Sequence, residues 1–121
     1  MGAQFGNINT SQIENLVNYL FNNETLLEIN KMIAEKCDPY VPYNTGRLAE
    51  SGKSNVTPEG IHYNVPYAEE QYFGIGINHN LEHHPKATAF WDKVMMQEHG
   101  DEVRQEITEI LSRRARELYG K

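Results

Sequence analysis

Apolar positions along the chain fall into helical stripes separated by short polar breaks. Ile13, Leu16, Val17, Leu20 and Phe21 recur at helical spacing, and Ser11-Gln12-Ile13-Glu14 at their start has the form of a capping box. Asn22-Asn23 interrupts the stripe. Asn23 is placed to cap a second stretch carrying Leu26, Leu27, Ile29, Met32 and Ile33, which ends near Cys37. The pattern alone leaves open whether this is one bent helix or two. Pro39 and Pro42 forbid continuation and push the residues before them toward extended geometry. A later helical region starts near Thr88, passes Phe90, Trp91, Val94 and Met95, and pauses at Gly100. Asp101 is placed to cap the terminal helix, where Val103, Ile107, Ile110, Leu111 and Leu118 form one stripe and Glu109 precedes Arg113 by four.

Between these helices the pattern changes. Thr45-Gly46 reads as a turn, with Gly46 taking backbone angles that other residues avoid, Thr45 bonding the turn and Leu48 as an anchor before one helical turn through Ser51. Residues 53–57 and 61–65 read as two strands, and Pro58-Glu59-Gly60 between them suits a hairpin. The segment from Pro66 to Tyr72 suits a short helix with proline in its first turn, pairing Tyr67 with Gln71 or Ala68 with Tyr72 on one face. Residues 1–9 read as an arm. Residues 74–86, rich in glycine, asparagine and histidine, make the longest loop. The order predicts a single α+β domain over residues 1–121, a small antiparallel sheet packed with N-terminal and C-terminal helices.

Charge and composition narrow the function. The formal net charge is −6, from 11 basic and 17 acidic side chains, which argues against a protein whose task is gripping nucleic acid. The basic cluster Arg113-Arg114-Arg116 falls in the last turns of a helix, where cations complement the dipole. No apolar run approaches the ~20 residues of a membrane span. The first residues lack the cationic start and apolar stretch of a signal peptide. With one cysteine, Cys37, no internal disulfide forms, and synthesis in the cytosol is the expectation.

Catalytic and metal chemistry find little support. His79 and His83 are four apart with His84 and Glu82 adjacent, but flanking asparagines and glycines make this a loop without the fixed backbone that ligand spacing requires. Ser51, Ser54 and Cys37 stand in no nucleophile motif. Glu69 and Glu70, adjacent on a helix, point about 100° apart and do not address one substrate. No catalytic residue, metal or cofactor is expected. The conspicuous feature is aromatic: Tyr40, Tyr43, Tyr63, Tyr67 and Tyr72 lie between Asp38 and Phe73 among prolines. Such rings give wide contact area at low entropic cost and are enriched at protein interfaces, so this segment reads as a surface for other proteins.

Taken in order, these residues resemble the minor capsid proteins of long-tailed bacteriophages, which are related to head–tail connector and tail-completion neck proteins. The resemblance rests on Pro42, Thr45, Gly46 and Leu48 after an N-terminal helix, then Tyr63 in the hairpin, then Pro66, Tyr67, Ala68, Tyr72 and Gly74, and finally Pro85 and Trp91. It covers about residues 36–105. It implies a non-catalytic virion subunit of the neck, a homo-oligomer in a ring of six copies. Its expected partners are connector or stopper proteins and the tail tube or tail terminator, with DNA passing the lumen without specific binding and no membrane involved. The alternatives are a small protein-binding module, regulator- or antitoxin-like, and a metal protein built on the loop histidines.

Overall fold

The computed structural model describes residues 10–74 and 81–120. Helix α1 spans Thr10–Leu20 and α2 spans Asn23–Cys37, so the polar break separates two helices. The cap of α2 is Asn22 rather than Asn23: its Oδ1 accepts from the Thr25 backbone N–H at 3.0 Å and from the Thr25 hydroxyl at 3.1 Å. Ser11 lies inside α1, which begins one residue earlier, so it does not hold the capping position its sequence suggests. A short 3₁₀ turn, Asp38–Tyr40, follows α2 with Pro39 in it. Gly46, at φ 90°, then leads into α3, Arg47–Ser54.

Helix α3 is longer than the one turn expected, and it absorbs Lys53 and Ser54 from the expected first strand. Only Val56–Thr57 (β1) and Gly60–Ile61 (β2) pair, antiparallel, with Val56 opposite Ile61 across the Pro58-Glu59-Gly60 turn. The second strand also stops short of Val65. The Asn30 side-chain amide on α2 donates to the Thr57 carbonyl at 2.9 Å and the Pro58 carbonyl at 3.2 Å, pinning the hairpin to the helix. Helix α4, Ala68–Phe73, ends at Gly74 in the left-handed conformation.

The last element, α5, spans Trp91–Tyr119 and begins after Phe90, which holds a positive φ of 51°. The two terminal helices predicted from the sequence are one helix with a bend at His99 (φ −127°, ψ 16°), next to the predicted Gly100 pause. Asp101 is an interior residue paired with Arg104 rather than a cap. Helices α2 and α5 run antiparallel and are linked along their length. Glu24 meets Arg114 at 3.3 Å, Glu28 meets Arg113 and Arg114, and Lys36 meets Glu106 at 3.3 Å and Glu102 at 3.6 Å. Arg113 therefore pairs across to α2 and along α5 to Glu117, not to Glu109 as the spacing suggests. The result is the expected α+β architecture, with the sheet reduced to a hairpin beside a dominant helix pair.

Candidate functional site

The core shows what the aromatic segment is for. Cys37, Tyr40, Val41, Leu48, Ala49, Trp91, Met95 and Val103 are buried together, and Tyr43, Tyr63, Tyr67, Ala68 and Tyr72 pack against them. Trp91 is the hub: the Tyr63 ring lies 5.1 Å from it and the Tyr72 ring 4.9 Å, both edge-on. Gly52 on α3 lets Tyr63 approach, since a Cβ there would sit 2.1 Å from the ring. Tyr40 is only 2% exposed. The tyrosines expected to face other proteins thus face the interior of their own subunit. Pattern alone does not separate these outcomes, because a ring with a polar tip suits a core edge as well as an interface.

The motif residues divide accordingly. Pro42, Leu48 and Trp91 are buried, Tyr63, Tyr67, Ala68 and Tyr72 line the core, and Thr45, Pro66 and Pro85 are exposed. Gly46 and Gly74 both hold positive φ, and a Cβ on Gly46 would also meet the Tyr43 hydroxyl at 2.7 Å. Thr45 Oγ1 accepts weakly from the Arg47 N–H at 3.5 Å. The segment from residue 81 to 90 is strapped across this core. Thr88 N–H donates to the Tyr40 carbonyl at 3.0 Å, Phe90 N–H donates to the Tyr72 carbonyl at 2.8 Å, and His84 Nδ1 bonds the Val41 carbonyl at 2.7 Å. The rings of His83 and His84 lie 5.0 and 4.8 Å from Tyr43.

The titratable groups in the core are held neutral. Burial first, then the Asp92 and Asp38 charges, pushes the Cys37 thiol up to about 12, which removes it as a nucleophile. Burial and a bond to Glu98 push the Tyr40 phenol up to about 12, and burial with a bond to Asp92 does the same for Tyr72. Burial raises Tyr63 further still. Among the described residues no three His, Cys, Asp or Glu side chains converge as a metal site. His79 lies outside the described residues. The groove between α2 and α5, with Met32 and Ile110 flanked by Glu28, Glu106, Arg113 and Arg116, is charged and offers no nucleophile.

Among the described residues, exposed apolar side chains gather in two patches, with Leu81, Met96 and Tyr119 exposed besides. Helix α1 has no buried residue; Ile13 and Val17 on it are 51% and 46% exposed, and Phe21 just after it is 46% exposed. Phe73 and Phe90, with ring centres 5.8 Å apart, form a second patch. Sequence reasoning found the first stripe without its exposure. It missed the second, because Phe73 and Phe90 stand on either side of the 74–86 loop and meet only in the fold. No helix among the described residues is long and apolar enough to cross a membrane. No curated protein and no solved structure matches the chain. Residues 6–109 match the minor capsid protein family, and with a match over most of its length the chain belongs to that family, a structural component of the bacteriophage virion.

Proposed function

We propose that this subunit works at the head-to-tail neck, where copies assemble into a closed ring, six in the arrangement that the resemblance implies. One observation carries the reading: α1 presents an amphipathic face that its own subunit leaves exposed. Covering a half-exposed apolar stripe is favourable in water, and association supplies a cover. A ring needs two different, complementary surfaces on each copy. We take α1 and the Phe73–Phe90 pair as those two surfaces, since α1 adjoins the start of α2 and Phe90 the start of the antiparallel α5. Helix α1 leads directly into the turn of α2 that Glu24 ties to Arg114, whereas Phe90 precedes the first residue of α5. From Trp91 to Arg114 a straight helix would span about 35 Å.

Connector or stopper proteins on one side and the tail tube or terminator on the other are the partners such a ring would meet. The charge pattern suits a conduit that DNA crosses without sticking. Arg104, Arg113 and Arg114 are each paired with a carboxylate of the same subunit, which leaves them less free for phosphate, and the chain is net acidic. Sedimentation of the purified chain and imaging of isolated phage necks test the proposal. A closed ring of this subunit at the neck is expected, and a strict monomer inside purified necks would end it. The loop-histidine metal reading loses ground, because His83 and His84 are packed on Tyr43 and His84 is bonded to Val41.

A further inference from the structure

Helix α1 has two faces of different standing. Leu16, Tyr19 and Leu20 are half-buried, whereas Ile13, Val17 and the following Phe21 are exposed. The exposed three recur every four residues, and the Phe21 N–H still bonds the Val17 carbonyl at 2.9 Å, so they form one ridge. Successive members of such a ridge stand about 6 Å apart along the axis. The Phe73 and Phe90 ring centres are 5.8 Å apart, nearly the same spacing. Phe90 is also the one non-glycine among the described residues with a positive φ, 51°. A bulky side chain is disfavoured there, and conformations of that kind cluster at working surfaces.

The charges on the two surfaces are complementary. Glu14 is the one charged residue of α1, is exposed, and adjoins Ile13. Lys93, exposed in the first turn of α5, holds its ammonium 5.4 Å from the Phe90 ring centre. Among the described residues neither forms an ion pair within its own subunit. Asp92, next to Lys93, is engaged by the Tyr72 hydroxyl at 2.7 Å, and Glu69 and Glu70 lie on α4 with Phe73. We infer that, within the ring proposed above, α1 of one copy docks on the Phe73–Phe90 pair of the next, the two rings filling the gaps on either side of Val17 and Glu14 meeting Lys93. The charges set the direction: the N-terminal half of α1 lies over Phe90 and its C-terminal end over Phe73, which also keeps Glu14 from the acids of α4. Seating side chains between the members of a helical ridge is the ordinary way such a surface is matched. Each copy gives a helix and receives one, so the contact runs head-to-tail and does not close as a symmetric pair. The inference rests on the ring reading and adds which residues meet.

Two variants, each lacking one surface, test the junction. One loses the helix face through Ile13→Ser with Val17→Ser, and the other loses the rings through Phe73→Ser with Phe90→Asn, asparagine being suited to a left-handed backbone. Analytical ultracentrifugation should find each monomeric alone and a 1:1 dimer on mixing, with nothing larger. Glu14→Lys added to the ring-less variant should raise the Kd of that dimer about tenfold, and Lys93→Glu in its partner should bring it back. A mixture that stays monomeric, a variant that pairs with itself, or a charge effect that Lys93→Glu does not reverse would overturn the inference. If the unaltered chain still closes into rings in that case, the ring reading stands and only this junction falls, whereas a strict monomer in purified necks removes both. Should the ring-less variant not fold, the charge reversals in the unaltered chain decide: ring assembly should be weakened by either alone and restored by both, and an absence of restoration overturns the inference.

Discussion

Helices α1 and α2 begin from the same kind of pattern and meet opposite fates. Both carry apolar residues at helical spacing, yet α2 buries Thr25, Ile29, Ala34 and Cys37 while α1 buries nothing. The difference lies in what each is fastened to. Helix α2 is capped by Asn22, bonded to the hairpin through Asn30 and paired with α5 at Glu24, Glu28 and Lys36. Helix α1 lies against α5 yet buries no residue of its own. A hydrophobic stripe says that a face will be covered; only the surrounding bonds say whether the cover comes from the same chain.

Alkali should separate the two regions most sharply. Cys37 and the tyrosines of the core resist ionisation when folded, so above the ordinary thiol and phenol range the unfolded chain loses protons that the folded chain keeps. Stability then falls as pH rises, in a window that runs from about 9–10 up toward 12. Each group contributes about 1.4 kcal/mol per pH unit in that window, so several together should cost on the order of 3 kcal/mol or more within one unit. Alkaline titration followed by near-UV spectroscopy of Trp91 is expected to show cooperative loss of the core. Within the core, Trp91→Ala removes the hub of the aromatic cluster and should cost about 3–5 kcal/mol in denaturant melts.

Smaller effects sharpen the contrast. Gly52→Ala forces a methyl into the Tyr63 ring and should cost about 1–3 kcal/mol by thermal melting, because both residues are hemmed in. Gly46→Val places a branched side chain at φ 90° against Tyr43 and should cost more than ~1 kcal/mol; an unchanged melting curve would remove that reading of the turn. The smallest change in subunit stability is expected from replacing Ile13, Val17 and Phe21 together by serine, within about 0.5 kcal/mol. That variant should nonetheless fail to assemble in sedimentation. A large loss of monomer stability would show instead that α1 belongs to the core.

Much of this architecture could be read from the residues alone. The helical stripes, the Pro58-Glu59-Gly60 turn, the left-handed Gly46 and the interruption near Gly100 are local signals, each with a local cause. The strands were overestimated because alternation at 53–57 is short enough for α3 to override it, with Ser51 and Gly52 buried by tertiary packing. The orientation of the tyrosines was not legible, since Tyr63 turns inward only where Gly52 makes room and Tyr72 only where Trp91 arrives from 19 positions later. Arg113 likewise chose Glu28, 85 residues away, over its near neighbour Glu109. Contacts of that range have no sequence period to announce them.

The hairpin has a consequence for how copies can join. With two residues in each strand, and the turn carbonyls of Thr57 and Pro58 already taken by Asn30, it has scarcely any free ladder on which a neighbour's extended segment could zip. Runaway stacking through backbone pairing is thereby starved of a template. Cohesion between subunits falls instead to side chains, whose shapes can be matched to one partner geometry and stop there.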